Sequence, residues 1–109
     1  MKFGLKDEVI TNICNVFSNF AEIEKVIIYG SRAKGNYKNG SDIDLTLFGD
    51  GLEYSILSKL DFQLEELYLP YTFDISIFNM ISNADLKEHI SSVGQVFYDN
   101  IYDNIEKNN

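Results

Sequence analysis

Apolar positions recur along this chain with two periods, and the switches between them divide it into alternating helices and strands. From Lys6 to Glu22, Ile10, Ile13, Cys14, Phe17 and Ala21 fall on one helical stripe, with Asp7, Glu8 and Asn15 elsewhere on the wheel. Lys25 to Tyr29 is β-branched and aromatic and ends at Gly30, the pattern of a buried strand feeding a tight turn. Gly35, Asn36, Asn39 and Gly40 make Ser31 to Ser41 a short helical turn followed by a loop. Asp42 to Phe48 alternates strictly, and Leu52 to Leu67 carries Ile56, Leu60, Leu64 and Leu67 on one stripe, so a second helix follows the second strand. Phe73 to Phe78 alternates again. Ser82-Asn83-Ala84-Asp85 reads as a capping box opening a third helix, with Leu86, Ile90 and Val93 on its stripe and Gly94 at its end. Gln95 to Asp99 forms a short closing strand.

The same alternation sorts the charges. Ile43, Leu45 and Leu47 face one way, while Asp42, Asp44 and Thr46 face the other; Asp74 and Ser76 likewise oppose Phe73, Ile75 and Ile77. With these strands in one sheet, the Ile and Leu face packs on the helices and a cluster of carboxylates is left on the open face. Two carboxylates about 4 Å apart repel by roughly 4 kcal/mol at a near-surface dielectric, so a cation is expected beside them. Mg²⁺ suits the donors: it takes hard oxygen ligands, commonly one or two carboxylates together with substrate phosphates. Two such ions could activate an attacking hydroxyl and stabilise a leaving pyrophosphate, with Asp74 as the base that deprotonates the acceptor. Gly30-Ser31 at a strand end supplies a close backbone approach, N–H groups and a hydroxyl for the phosphates. Gly30 to Gly35 superficially copies the start of a P-loop, but Asn36-Tyr37 stands where Lys-Ser/Thr is obligatory, which excludes that reading.

Composition narrows the setting. A chain of 109 residues with 45% hydrophobic and 24% charged positions can build one core and folds as a single domain over residues 1–99, with residues 100–109 a C-terminal tail, partly helical or disordered. A net charge of -8 argues against duplex nucleic acid as a partner, because that contact is driven by lysine and arginine. One cysteine, Cys14, forms no internal disulfide, and no Cys or His stands at metal-ligand spacing, so His89 is read as structural. No signal-peptide core and no membrane-length apolar run occurs, which leads to the expectation of a soluble cytoplasmic protein.

Gly30-Ser31-Arg32-Ala33-Lys34-Gly35, then Ser41-Asp42-Ile43-Asp44-Leu45, then Asp74 on a later strand resemble the nucleotidyltransferase superfamily of DNA polymerase β. The size and layout are similar to the minimal nucleotidyltransferases (MNT), many of which are antitoxins paired with a HEPN toxin, a helical ribonuclease. The resemblance implies an α/β (α+β) fold with a mixed sheet flanked by helices. It implies Mg²⁺ ligation by Asp42, Asp44 and Asp74, and contacts from Gly30 and Ser31 to a nucleoside triphosphate, with ATP the default donor. It further implies transfer of a nucleoside monophosphate to an acceptor hydroxyl, and the antitoxin branch is similar to enzymes that adenylylate a tyrosine of the partner toxin. Arg32 and Ser41 join the expected nucleotide contacts, and Arg32, Lys34 and Lys38 could neutralise a triphosphate, although basic residues in a polar loop are commonly just solvated.

Larger members of that superfamily carry a helical domain for the acceptor, which this length does not provide, so the acceptor site is expected from a helical partner in a hetero-oligomer. In the tail, Tyr98 and Tyr102 would align on one helical face and Ile101 and Ile105 on another, a surface for a partner helix. Three readings follow: a protein adenylyltransferase and antitoxin, a nucleotide-binding module that neutralises its partner by contact alone, and a catalytic subunit that modifies a small molecule.

Overall fold

In the computed structural model, residues 1–101 are described. The chain runs through α1 (Asp7–Phe17), β1 (Lys25–Tyr29), α2 (Gly30–Lys34), β2 (Ile43–Phe48), α3 (Tyr54–Glu65), β3 (Phe73–Ile77), a 3-10 turn at Phe78–Met80, α4 (Ala84–Val93) and β4 (Gln95–Asp99). The four strands form one mixed sheet in the order β3-β2-β1-β4. β1 is antiparallel to both β2 and β4, whereas β2 and β3 are parallel, a pairing that requires a crossover, here α3. The expected mixed sheet flanked by helices is therefore the observed fold.

One face of the sheet carries Val26, Ile28, Ile43, Leu45, Leu47 and Ile77, which close a core with Ile13 and Phe17 of α1 and Ile56, Leu60 and Leu64 of α3. Each of these side chains stabilises the fold by roughly 1.5–3 kcal/mol through its removal from water. α1 and α3 lie on this side. α4 packs against β1 and α2, and buries only Ile90 deeply, so it covers the β1 part of the opposite face; the 3-10 turn lies against β2 and Thr46 is fully buried, which leaves the Asp44 and Asp74 end of β2 and β3 as the accessible part.

The helices differ from their expected spans for local reasons. α1 stops at Phe17 because Asn19, Phe20 and Ile23 take tighter turns onto Val16, Phe17 and Phe20, which buries Phe20 and Ile23 and leaves Ala21 exposed. Asn83, not Ser82, caps α4: its side chain accepts the Leu86 N–H at 3.1 Å. Gly94 does end α4, but in extended backbone; a Cβ there would strike the Ile90 carbonyl and the Ile27 side chain, so close packing is the constraint. Tyr98 lies in β4, buried against Phe17 with ring centroids 5.7 Å apart, and does not stand on a helical face. Tyr102, expected to align with it, and Ile105, expected to align with Ile101, lie outside the described residues.

Candidate active site

β1 runs antiparallel to β2 and β2 runs parallel to β3, so the end of β1 and the starts of β2 and β3 meet at one edge of the sheet. There Tyr29 is the register partner of Asp44, and Asp44 is the register partner of Asp74. The three side chains form one row across the open face. One row further in lie Thr46 and Ser76, also register partners, whose hydroxyls are hydrogen-bonded at 2.9 Å. The Tyr29 phenol in turn meets the Ser76 hydroxyl. A chain of hydroxyls thus forms the floor beneath the carboxylates.

Gly30 follows β1 directly with φ at +71°, a conformation that side chains resist, and a Cβ there would run into the Asp44 carboxylate. Glycine therefore brings the backbone at Gly30-Ser31 into direct approach to Asp44. Both residues are half-buried, as is Asp44; Asp42 and Asp74 are exposed.

The electrostatics report the crowding of like charges. Burial chiefly, then the Asp74 and Asp42 carboxylates, pushes the Asp44 carboxyl above the usual aspartate range, against smaller opposing effects from His89 and Arg32. The Tyr29 phenol is also raised, by burial first and then by Asp74 and Asp44, with the Ser76 hydrogen bond acting the other way. The floor of the site is therefore a neutral phenol under a carboxylate that is costly to ionise.

Asp42, Asp44 and Asp74 come to the same edge, but among the described residues no three His, Cys, Asp or Glu side chains are gathered closely enough to close a metal site by themselves. The donor set is open and all-oxygen. Such a set fits Mg²⁺, which keeps waters and shares its coordination with a phosphate-bearing substrate. Asp42 and Asp44 with Asp74 opposite are the residues that could hold it.

Two of the expected nucleotide contacts are turned elsewhere. Arg32 is 3% exposed, and its guanidinium donates to the carbonyls of Ser41 and Phe3. The Ser41 hydroxyl accepts the Lys38 N–H at 2.9 Å and closes the loop before β2. Lys34 and Lys38 are the exposed cations of that segment. His89, read from sequence as structural, stands with its ring edge-on to Tyr29 at 6.1 Å and favours the ionised form of Asp44. Only the packing of α4 across β1 brings it there, which no local pattern discloses. A recess of about 500 Å³ at the α3–β3 connection is lined by Leu64, Glu65, Tyr68, Tyr71 and Phe73, among others, and by none of the three carboxylates.

Comparisons with known proteins agree with this fold. Chains in three solved structures share the fold. A toxin–antitoxin complex with AMP-PNP gives a TM-score of 0.67 at 17% identity, over 87% of this chain and 74% of that one. A tri-AMPylated Shewanella oneidensis HEPN toxin in complex with an MNT antitoxin gives 0.65 at 14%, over 92% and 77%. An MntA–HepT toxin–antitoxin complex gives 0.64 at 14%, over 90% and 76%. A search of curated protein sequences finds no significant match. The model of the family described as "Polymerase beta, Nucleotidyltransferase" matches residues 11–103, most of the chain. With its paired strand aspartates and its Gly30-Ser31 turn packed on Asp44, this chain belongs to the polymerase beta nucleotidyltransferase family.

Proposed function

We propose that this chain transfers AMP from ATP, with Mg²⁺, to a tyrosine hydroxyl of a helical HEPN-type partner protein, and acts as the antitoxin of that pair. The observation that carries the reading is the contact row itself: Asp44 and Asp74 in register on one open face, with the Gly30 backbone against the Asp44 carboxylate. Membership of a nucleotidyltransferase family supports transfer chemistry, and the likeness in fold to antitoxin complexes containing AMP-PNP or an AMPylated toxin supports the donor and the partner.

Each residue then has a task. The backbone and hydroxyl at Gly30-Ser31 hold the triphosphate, and Lys34 and Lys38 lie on the same segment to offset its charge. Asp42 and Asp44 hold Mg²⁺, with Asp74 completing the donor set; the bound metal supplies charge neutralisation at the phosphates. Asp74, exposed on the edge strand, takes the proton of the acceptor hydroxyl. The acceptor oxygen bonds to the α-phosphorus, the bond from that phosphorus to the β-phosphate bridging oxygen breaks, and pyrophosphate leaves with the electron pair.

The test is incubation of the purified chain with its partner, ATP and Mg²⁺, followed by intact-mass and peptide analysis of the partner. Addition of AMP to a tyrosine, absent with Asp44→Asn, is the expected result. Neutralisation of the partner that persists undiminished with Asp44→Asn would replace catalysis with binding alone. Modification of a small molecule in place of the partner would assign this chain as a catalytic subunit with a separate acceptor.

A further inference from the structure

The guanidinium of Arg32 is buried without an acidic partner among the described residues, an arrangement that needs a reason. Its Nε and Nη2 both donate to the Ser41 carbonyl, at 3.1 and 2.9 Å, and its Nη1 donates to the Phe3 carbonyl at 2.9 Å. The Tyr37 and Tyr71 rings lie 5.3 and 5.1 Å from its centre. Carbonyl dipoles and aromatic faces thus replace a carboxylate, and the positive charge stays uncancelled beneath the site, where it favours ionised Asp44.

The two carbonyls belong to segments far apart in the chain that Arg32 joins: an N-terminal turn seated on the core through Leu5 and Phe3, and the loop closed by the Lys38–Ser41 hydrogen bonds. Phe3 sits in a tight N-terminal turn, with φ at +56° for Phe3 and +73° for Gly4, closed by reciprocal backbone hydrogen bonds between Lys2 and Leu5. The Ser41 carbonyl belongs to the peptide that leads into Asp42, and the next amide along, Ile43 N–H, donates to the Thr72 carbonyl at 2.9 Å. Asp42 is exposed, with no packing of its own. Its flanking backbone is held on one side by Thr72, just before β3, and on the other by Arg32 together with the Lys38–Ser41 loop closure.

We propose that Arg32 is a positioning residue: it ties the N-terminal turn to the Ser41 carbonyl and thereby fixes Asp42 beside Asp44. The inference rests on the metal-assisted reading of the carboxylates and assigns Arg32 away from direct phosphate contact. A lysine would keep the charge but cannot make the two-pronged bond to Ser41 and reach Phe3 as well.

The experiment uses the full chain and its Arg32→Lys and Gly4→Ala variants. Gly4→Ala leaves Arg32 intact but strains the turn and places a methyl against the Tyr37 ring and Arg32 Nη1, which disturbs the anchor. Thermal unfolding verifies that each variant is folded. Calorimetric titration with a non-hydrolysable ATP analogue is then run in EDTA and in Mg²⁺, together with Mn²⁺ binding by electron paramagnetic resonance. The expected result is unchanged metal-free affinity for the analogue with metal affinity weakened about tenfold in Arg32→Lys, the scale of lost supporting contacts at metal sites, and weakened in the same sense in Gly4→Ala. An equal loss of metal-free analogue affinity in Arg32→Lys would make Arg32 a phosphate contact and overturn the proposal. Unchanged metal affinity in a folded Arg32→Lys would reduce Arg32 to packing and also overturn it; should that variant not fold, unchanged metal affinity in Gly4→Ala does the same. Failure of the wild-type chain itself to bind metal with the analogue would instead sink the metal-assisted reading on which this one stands.

Discussion

Asp44→Asn is expected to stabilise the metal-free protein while it removes the proposed transfer activity. Asp44 and Asp74 are direct neighbours on parallel strands about 4.8 Å apart, so their unscreened repulsion at a dielectric near 20 is roughly 3 kcal/mol. Asp74 is exposed, and solvent screening reduces the realised value to about 1 kcal/mol. The sign follows from the raised carboxyl of Asp44, to which burial contributes most and the Asp74 and Asp42 carboxylates next. A carboxyl that holds its proton more tightly folded than unfolded favours folding at low pH and loses that contribution as pH rises through the folded value. At neutral pH the wild type therefore bears the full cost, whereas asparagine, of nearly the same shape, bears none. Urea unfolding at pH 7, low salt and EDTA should place Asp44→Asn about 1 kcal/mol above wild type, an increase of roughly 4 °C in Tm for a domain of this size. The gap should narrow on acidification or added salt. An Asp44→Asn protein no more stable than wild type at pH 7, with no pH dependence in the difference, would refute the carboxylate repulsion.

Three further outcomes are expected. Gly30→Ala should cost about 1–2 kcal/mol for left-handed backbone and should lower transfer beyond what stability explains, because its methyl displaces the Asp44 carboxylate; wild-type transfer in a folded variant would contradict the approach geometry. Thr46→Val, at a residue with 0% exposure, removes the acceptor of the Ser76 hydroxyl and should cost about 1–3 kcal/mol in urea unfolding; a neutral result would remove the hydroxyl floor from the account. Mg²⁺ affinity in the presence of nucleotide should decline on acidification from a pH above the ordinary aspartate range, since Asp44 must lose a raised proton before it can act as a ligand, and a titration with the normal aspartate midpoint would contradict this.

How much of this was legible in the sequence depends on whether a feature is periodic or assembled. The alternation around Asp44 and Asp74 disclosed both strands and the face their carboxylates share, because a strand's period of two is a local property. Gly30-Ser31 was legible because a glycine closing a β-branched run marks a special backbone. The ends of elements were less so: α1 stops at Phe17 because Phe20 and Ile23 gain more burial by turning inward than Ala21 offers on the helix. Arg32 and His89 were not legible. Arg32 lies in a polar glycine-rich segment where it reads as a nucleotide contact or a solvated cation, and its burial depends on the carbonyls of Phe3 and Ser41 and the rings of Tyr37 and Tyr71, which converge only when folded. His89 reaches Tyr29 through the packing of α4 on β1, a contact sixty residues apart in sequence that no helical pattern encodes.

The most direct test of the central claim is label transfer from ATP in Mg²⁺, with α-labelled and γ-labelled nucleotide compared in parallel, the partner or native extract as acceptor, and Asp42→Asn/Asp44→Asn as control. Incorporation of the α label alone, abolished in the double variant, is the result predicted by nucleotidyl transfer at this site. Incorporation of the γ label, or of neither label by a chain that binds the nucleotide, would contradict it.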